Sequence, residues 1–201
     1  MNPPESLPTF TPTSQAEWRA WLQAHHREQA GIWLVYYRQA SGQPTISVSE
    51  ATDEALCFGW INGPGRPLDA DRHLSYYGPR KPGSGWSKVN KAKIEHLLAT
   101  GQLAPAGLAR IEAARQDGSW TLLDEVEQLL VPADLAAALA AQPPAADFFA
   151  RLSRTDRRNL LQWLVLARRP DTRQRRLAAI AELAVRQQRP TQFDTRRKAA
   201  G

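Results

Sequence analysis

Apolar and polar positions change period several times along the chain, and each change marks an element. Ser14 followed by Glu17 opens a capping-box pattern, and Trp18, Trp21, Leu22 and His25 then share one helical face, predicting a helix over about 14–29. Gly31 ends it, and the unbroken β-branched and aromatic run 32–37 predicts a strand. After a turn at 41–44, Ser49 with Glu50, Asp53 and Glu54 predicts an acidic helix start that carries Ala51, Ala55, Leu56 and Phe58 inward and stops at Gly59. Residues 60–66 and 73–77 predict two strands joined by the polar stretch 67–72. Helix, strand, helix and hairpin in this order describe a small α+β unit with an antiparallel sheet.

Beyond the glycine-rich link 82–85 the pattern is helical throughout. Ser87 predicts the cap of a helix that Gly101 closes, and Pro105 suits the first turn of one that Gly118 ends. Pro132 opens another, and Pro143 and Pro144 precede a short helix holding Phe148 and Phe149. Ser153 with Asp156 opens a helix to about 168, and Pro170 starts a last one to about 188. Leu160, Leu161, Trp163 and Leu164 on the first and Leu177, Ile180 and Leu183 on the second form stripes that suit a helical hairpin. The pattern thus divides the chain into a proline-rich lead-in 1–13, an α+β domain 14–86, a helical region 87–190 and a basic flexible tail 191–201.

Composition adds a charge division. Residues 1–149 hold 16 Asp+Glu against 12 Lys+Arg, whereas residues 150–201 hold 14 Lys+Arg against 4 Asp+Glu. The arginines of the last helices, among them Arg154, Arg157, Arg158, Arg168, Arg169, Arg173, Arg175 and Arg176, could serve nucleic acid, but a solvated helix face explains them as well. With 201 residues, 42% of them hydrophobic, the chain can bury a real core. Its single cysteine, Cys57, excludes an internal disulfide. No basic region followed by an apolar run opens the sequence and no stretch approaches the roughly 20 apolar residues of a membrane span, so the expected location is the cytoplasm, with no membrane span.

Chemistry concentrates between Cys57 and Asn90. Trp60, Tyr76, Tyr77 and Trp86 supply flat apolar walls, and Asn62, Arg80, Lys81, Ser87 and Asn90 supply donors near them. Arg80 precedes a helix start at Ser87 where free backbone N–H groups favour an anion. Trp60, Asn62, Arg80, Trp86, Ser87 and Asn90 are therefore the expected ligand-binding residues, for a small anionic ligand or an acidic peptide end. A structural alternative has Ser87 only capping its helix and Arg80 pairing with Glu50 or Asp53.

Several of these stretches resemble a known family. Residues 50–63, including Gly59-Trp60-Ile61-Asn62-Gly63, then Pro79-Arg80 with Trp86-Ser87-Lys88-Val89-Asn90, residues 101–108, residues 147–153, Thr172-Arg173 and residues 189–193 look like the YdeI/OmpD-associated proteins, bacterial and described as bacteriocin-protection proteins. The resemblance runs collinearly over about 14–193. It implies an N-terminal part akin to the YjbR/CyaY-like α+β folds, a C-terminal helical region and a link to tolerance of antimicrobial peptides, and it brings no enzymatic activity with it. One departure matters: Asn62 stands where the family pattern has aspartate, and an amide cannot act as a general base.

Motifs for catalysis and cofactors are weak. Cys57 sits among Ala55, Leu56 and Phe58, as buried packing cysteines do. No Walker motif, dinucleotide fingerprint or nucleophile elbow appears, so no cofactor and no catalytic residue is assigned. An enzyme using Asp69, Asp71 or His73 across the hairpin is the alternative to a binding protein of a stress-tolerance pathway.

Overall fold

The computed structural model describes residue 4 and residues 6–188. The expected tail 191–201, and residues 189–193 of the resemblance, lie outside the described residues. Helix α1 (Gln15–His25) begins where Ser14 accepts the Glu17 N–H, and the Glu17 carboxylate turns back to the N–H and hydroxyl of Thr13, 2.8 Å from each. Helix α2 (Val48–Cys57) is capped by Ser47 rather than Ser49. Ser47 and Glu50 stand three apart and exchange both bonds of a capping box, while Ser49 lies inside the helix and its hydroxyl accepts from Lys93 at 2.8 Å. Gly59, with φ +73°, ends α2 as the sequence indicates.

The sheet is mixed, not purely antiparallel as expected. Its order is β1 (Thr9–Phe10), β2 (Ile32–Tyr37), β4 (Arg72–Pro79), β3 (Trp60–Pro67), with β1 parallel to β2 and the other pairs antiparallel. The physical reason is α1, which supplies the helical crossover that a parallel neighbour requires. Thr9 and Phe10 were expected in the lead-in, yet they pair with Trp33 and Leu34, and the Trp33 indole N–H donates to the Pro4 carbonyl at 3.1 Å.

Both faces of β2 are covered, which accounts for its unbroken apolar run. On one face Trp33, Val35 and Leu74 cluster with Leu7 and Tyr76. On the other the Tyr36 hydroxyl donates to the Tyr77 hydroxyl at 3.0 Å, and Trp18 of α1 meets the Tyr77 ring edge-on at 5.7 Å. The Trp18 indole N–H donates to the Ala51 carbonyl of α2, pinning the two helices together.

By internal contacts the chain forms two compact units. The first takes in the described residues up to Ser84 together with Val89–Trp120, and the second takes in Gly85–Lys88 together with the described residues from Thr121 onward. Most of α3 (Lys88–Ala99) and all of α4 (Pro105–Gln116) thus belong to the first unit, where Lys93 of α3 pairs with Asp53 of α2 at 2.6 Å. The second unit is built from α5 (Asp124–Glu127), α6 (Ala133–Ala140), α7 (Pro143–Arg151), α8 (Arg154–Val165) and α9 (Pro170–Val185). Its core joins Leu135 and Leu139 of α6, Phe149 of α7, Leu160, Leu161 and Leu164 of α8 and Leu177 and Ile180 of α9. Leu160, Leu161 and Leu164 of α8 and Leu177 and Ile180 of α9 therefore do face a common core, whereas Leu183 of the expected stripe is half-buried outside it and Ala184 takes its place. No helix among the described residues is long and apolar enough to cross a membrane.

Candidate functional site

The residues expected to bind a ligand fall in both units: Trp60, Asn62, Arg80 and Asn90 in the first, Trp86 and Ser87 in the second. Trp60 is 1% exposed, its indole N–H donating to the His26 carbonyl at 3.1 Å and its ring edge-on to Trp21. Trp86 is likewise 1% exposed. Asn62 is exposed on β3 opposite Tyr77, and Ser87 and Asn90 are half-buried. The β3–β4 ladder sets Trp60 opposite Pro79, and the Arg80 N–H donates to the Gly59 carbonyl, so Trp60 and Arg80 are brought together at one end of the hairpin.

Arg80 is buried, and one of its terminal nitrogens donates to the Ser84 carbonyl at 3.3 Å. Burial, with Arg110 nearby, pushes its guanidinium down to about 10. Glu50 and Asp53 are held elsewhere, by the α2 cap and by Lys93. Within the second unit, the Lys88 N–H donates to the Glu127 carboxylate at 3.4 Å, and Glu127 also takes a two-pronged bond from Arg158. An internal carboxylate therefore already faces the amide at the start of α3.

Open space lies elsewhere in the first unit. A cavity of about 490 Å³ is bounded by Arg19, Gln23, Ala24 and His26 of α1 and its cap, Arg27 and Glu28 just beyond, Phe58 at the end of α2, and Ala104, Pro105 and Ala106 at the start of α4. That volume falls within the ~300–1,000 Å³ of small-ligand pockets. Two backbone features hold the walls: Ala104 donates its N–H to the Cys57 carbonyl at 3.1 Å, and Gly59 turns the chain away from α2 beside Ala106 and Arg110.

The polar groups of the cavity differ in how they are occupied. Arg19 is engaged, with one terminal nitrogen 2.7 Å from the buried Glu54 carboxylate and the other donating to the Gln102 carbonyl at 2.8 Å. Glu54, read from the sequence as part of an acidic helix start, is 3% exposed between Arg19 and Gln15. Arg27 and Glu28 make no ion pair with any described residue. The His26 ring lies against Phe58 at 5.1 Å, its Nδ1 is 2.8 Å from the Leu22 carbonyl, and its Nε2 is buried without a hydrogen-bond partner. No side chain caps α4, whose first turn begins with Pro105.

Sequence reasoning missed this cavity because its walls come from three segments far apart in the chain. One signal was present: Ala104 before Pro105 puts a non-capping residue where Ser, Thr, Asp or Asn is usual. Cys57, beside the cavity wall, is fully buried as expected, and burial pushes its thiol up while Arg19 partly offsets this. Among the described residues no cluster of His, Cys, Asp and Glu could hold a metal ion.

Comparison with known proteins divides the chain similarly. No curated protein and no solved structure matches it. Residues 128–187 match the family described as "Bacteriocin-protection, YdeI or OmpD-Associated", so the resemblance read over 14–193 is supported over that part of its length. Residues 10–110, half of the chain, match the family described as "Domain of unknown function (DUF8412)", and to that family the chain belongs.

Proposed function

We propose that the chain is a non-enzymatic binding protein for a small anionic ligand, held in the cavity of the first unit. The observation that carries this reading is the presence, around one cavity, of an Arg27 guanidinium without an ion-pair partner among the described residues and of a helix start that no side chain caps. A guanidinium offers a carboxylate or phosphate two parallel donors, and the first turn of α4 offers backbone N–H groups at the positive end of its dipole. Phe58 supplies an apolar wall. Trp60 and Trp86, each 1% exposed, have little surface to offer a ligand, which favours the cavity over the stretch around them.

The description of the family matched over residues 128–187 supports a role in tolerance of antimicrobial peptides. The nucleic-acid alternative has less support, because several arginines of the last helices are occupied: Arg158 by Glu127, Arg173 by Asp134, and Arg176 by the ring and carbonyl of Trp163. The enzymatic alternative has less again. Asp69 is tied to Arg72 within the hairpin turn, and His73 is pushed below its ordinary value by burial and by Arg38.

Titration of the labelled protein with inorganic phosphate and with benzoate, followed by the amide signals of His26, Phe58 and Ala106, tests the reading. Saturable shifts are expected for at least one anion, and Arg27→Ala should weaken that binding about tenfold, the effect of losing a charge-assisted bond. Silence at all those signals with both anions would remove it.

A further inference from the structure

Of the four asparagines in the chain, Asn62 alone is followed by a glycine, whereas Asn90 and Asn159 precede bulkier residues inside α3 and α8. Asn62 sits on β3, the last strand in the sheet order, which is therefore paired on one side only, and from Asn62 onward the strand is exposed. The Asn62 amide makes no hydrogen bond to any described residue.

Regular pairing breaks immediately after it. Asn62 stands opposite Tyr77 and the register resumes with Gly65 opposite Ser75, so Gly63 and Pro64 together face Tyr76 across a bulge. A bulged edge segment lacks the full set of ladder bonds that holds the backbone of a central strand. Packing also requires the glycine: a Cβ at Gly63 would lie 2.7 Å from the Tyr76 ring. The residue after Asn62 is thus kept free of a side chain, and its amide nitrogen is open to close approach by the Asn62 side chain.

We propose that Asn62 is a site of spontaneous modification, deamidation through a cyclic imide. The Gly63 amide nitrogen attacks Asn62 Cγ and forms the N–Cγ bond of a succinimide. The Cγ–Nδ2 bond breaks, and Nδ2 leaves as ammonia with the proton that the Gly63 nitrogen gives up. Water then adds to one of the two ring carbonyls. Opening at Cγ leaves aspartate at this position, and opening at the main-chain carbonyl leaves isoaspartate, which carries an extra methylene into the backbone of β3. Either product puts a carboxylate on the exposed edge of the sheet. Asp117 before Gly118 has the same spacing without the same freedom, because its two carboxylate oxygens accept the N–H groups of Gly83 and Ser119.

Incubation of the full chain in mildly alkaline buffer, folded and in parallel in denaturant, followed by fragment mass spectrometry, tests this. In the folded chain position 62 should exchange amide for carboxyl within about 30-fold of its rate in denaturant, as for a site reached by local opening of an edge strand. A site reached only through global unfolding would react slower by about 1,000-fold or more. Isoaspartate should accumulate at that position and be lost in Asn62→Gln, whose longer side chain has to close a larger ring, while Asn90 and Asn159 keep their amides. Conversion in the folded chain slower than that 30-fold limit, carboxyl formed without isoaspartate, or isoaspartate undiminished in Asn62→Gln would each overturn the proposal.

Discussion

Gly107, in the first turn of α4, lies against the carbonyl end of Cys57 with no space between them. A Cβ added there would come within 2.9 Å of both the Cys57 carbonyl carbon and the Leu56 carbonyl oxygen. Both are backbone atoms, so neither can swing aside as a side chain would. Gly107→Ala is expected to separate α4 from the end of α2 and to destabilise the first unit by about 1–3 kcal/mol, the usual cost of overpacking. Chemical denaturation measures the loss. The same displacement moves Ala104 and Ala106, two walls of the cavity, so ligand affinity should fall in the folded variant as well.

Tyr76 gives a second steric relationship. Its ring lies over glycines of the neighbouring backbone, and a Cβ would come within 2.5 Å of the ring at Gly31 and 2.7 Å at Gly63, while the Tyr76 hydroxyl donates to the Ala30 carbonyl at 3.2 Å. Gly63→Ala should therefore destabilise only where the ring is present. In a double-mutant cycle with Tyr76→Ala, a coupling of about 0.5–3 kcal/mol is expected, as for residues in direct contact. Additive effects would show that the ring does not require the glycine.

The Arg19–Glu54 pair is half buried in an instructive way, because Glu54 is 4% exposed by side chain and Arg19 is 36% exposed. Arg19→Met leaves the carboxylate with the Gln15 amide, 2.7 Å away, and no cation at its other oxygen. The expected cost is about 3 kcal/mol, the low end for a broken buried pair, since part of the guanidinium was already in water. Adding Glu54→Gln to Arg19→Met should recover much of the loss, because the charge that needed the cation is gone. Denaturant midpoints of the single and double variants decide it.

What was legible in the sequence depended on whether a signal was local. Ser14, Gly59, Pro105 and the leucine stripes of α8 and α9 act on their own neighbourhood, and each lies where its chemistry indicates. Thr9 and Phe10 carry no strand signal, because the three residues between Pro8 and Pro12 are too few to show a period, and only pairing with β2 makes Thr9 and Phe10 a strand. The α2 start was misplaced because Ser47 and Ser49 are both good caps, and the choice falls to whichever has Glu50 three residues on. Large aromatics beside polar groups suggested a pocket around Trp60, yet Trp60 and Trp86 are both buried, and the Trp60 indole N–H is satisfied on the His26 carbonyl. The cavity depends on Arg27, Phe58 and Ala106 meeting in space, and no window of sequence holds all three.

The second unit should weaken in acid through two pairs. Arg158 holds the Glu127 carboxyl below its ordinary 4.5, and Arg173 holds the Asp134 carboxyl below its ordinary 3.8, in each case chiefly by a direct hydrogen bond. A carboxyl depressed in the folded state is protonated first in the unfolded chain as the pH falls, so unfolding takes up protons and acid favours it. The stabilisation is full above those ordinary values, declines as the pH drops through them, and is lost once the pH passes below the depressed folded values. Both pairs are partly exposed, so the effect at neutral pH is modest. Unfolding midpoints measured from pH 7 to pH 2 should therefore fall more steeply in acid for the natural chain than for a Glu127→Gln/Asp134→Asn variant, which starts lower at neutral pH. Glu17, Glu50 and Asp69 are depressed too and stay in place, so the limb should flatten without vanishing. An unchanged acid slope in the double variant would mean that Arg158 and Arg173 interact with these carboxylates no more strongly in the folded chain than in the unfolded one.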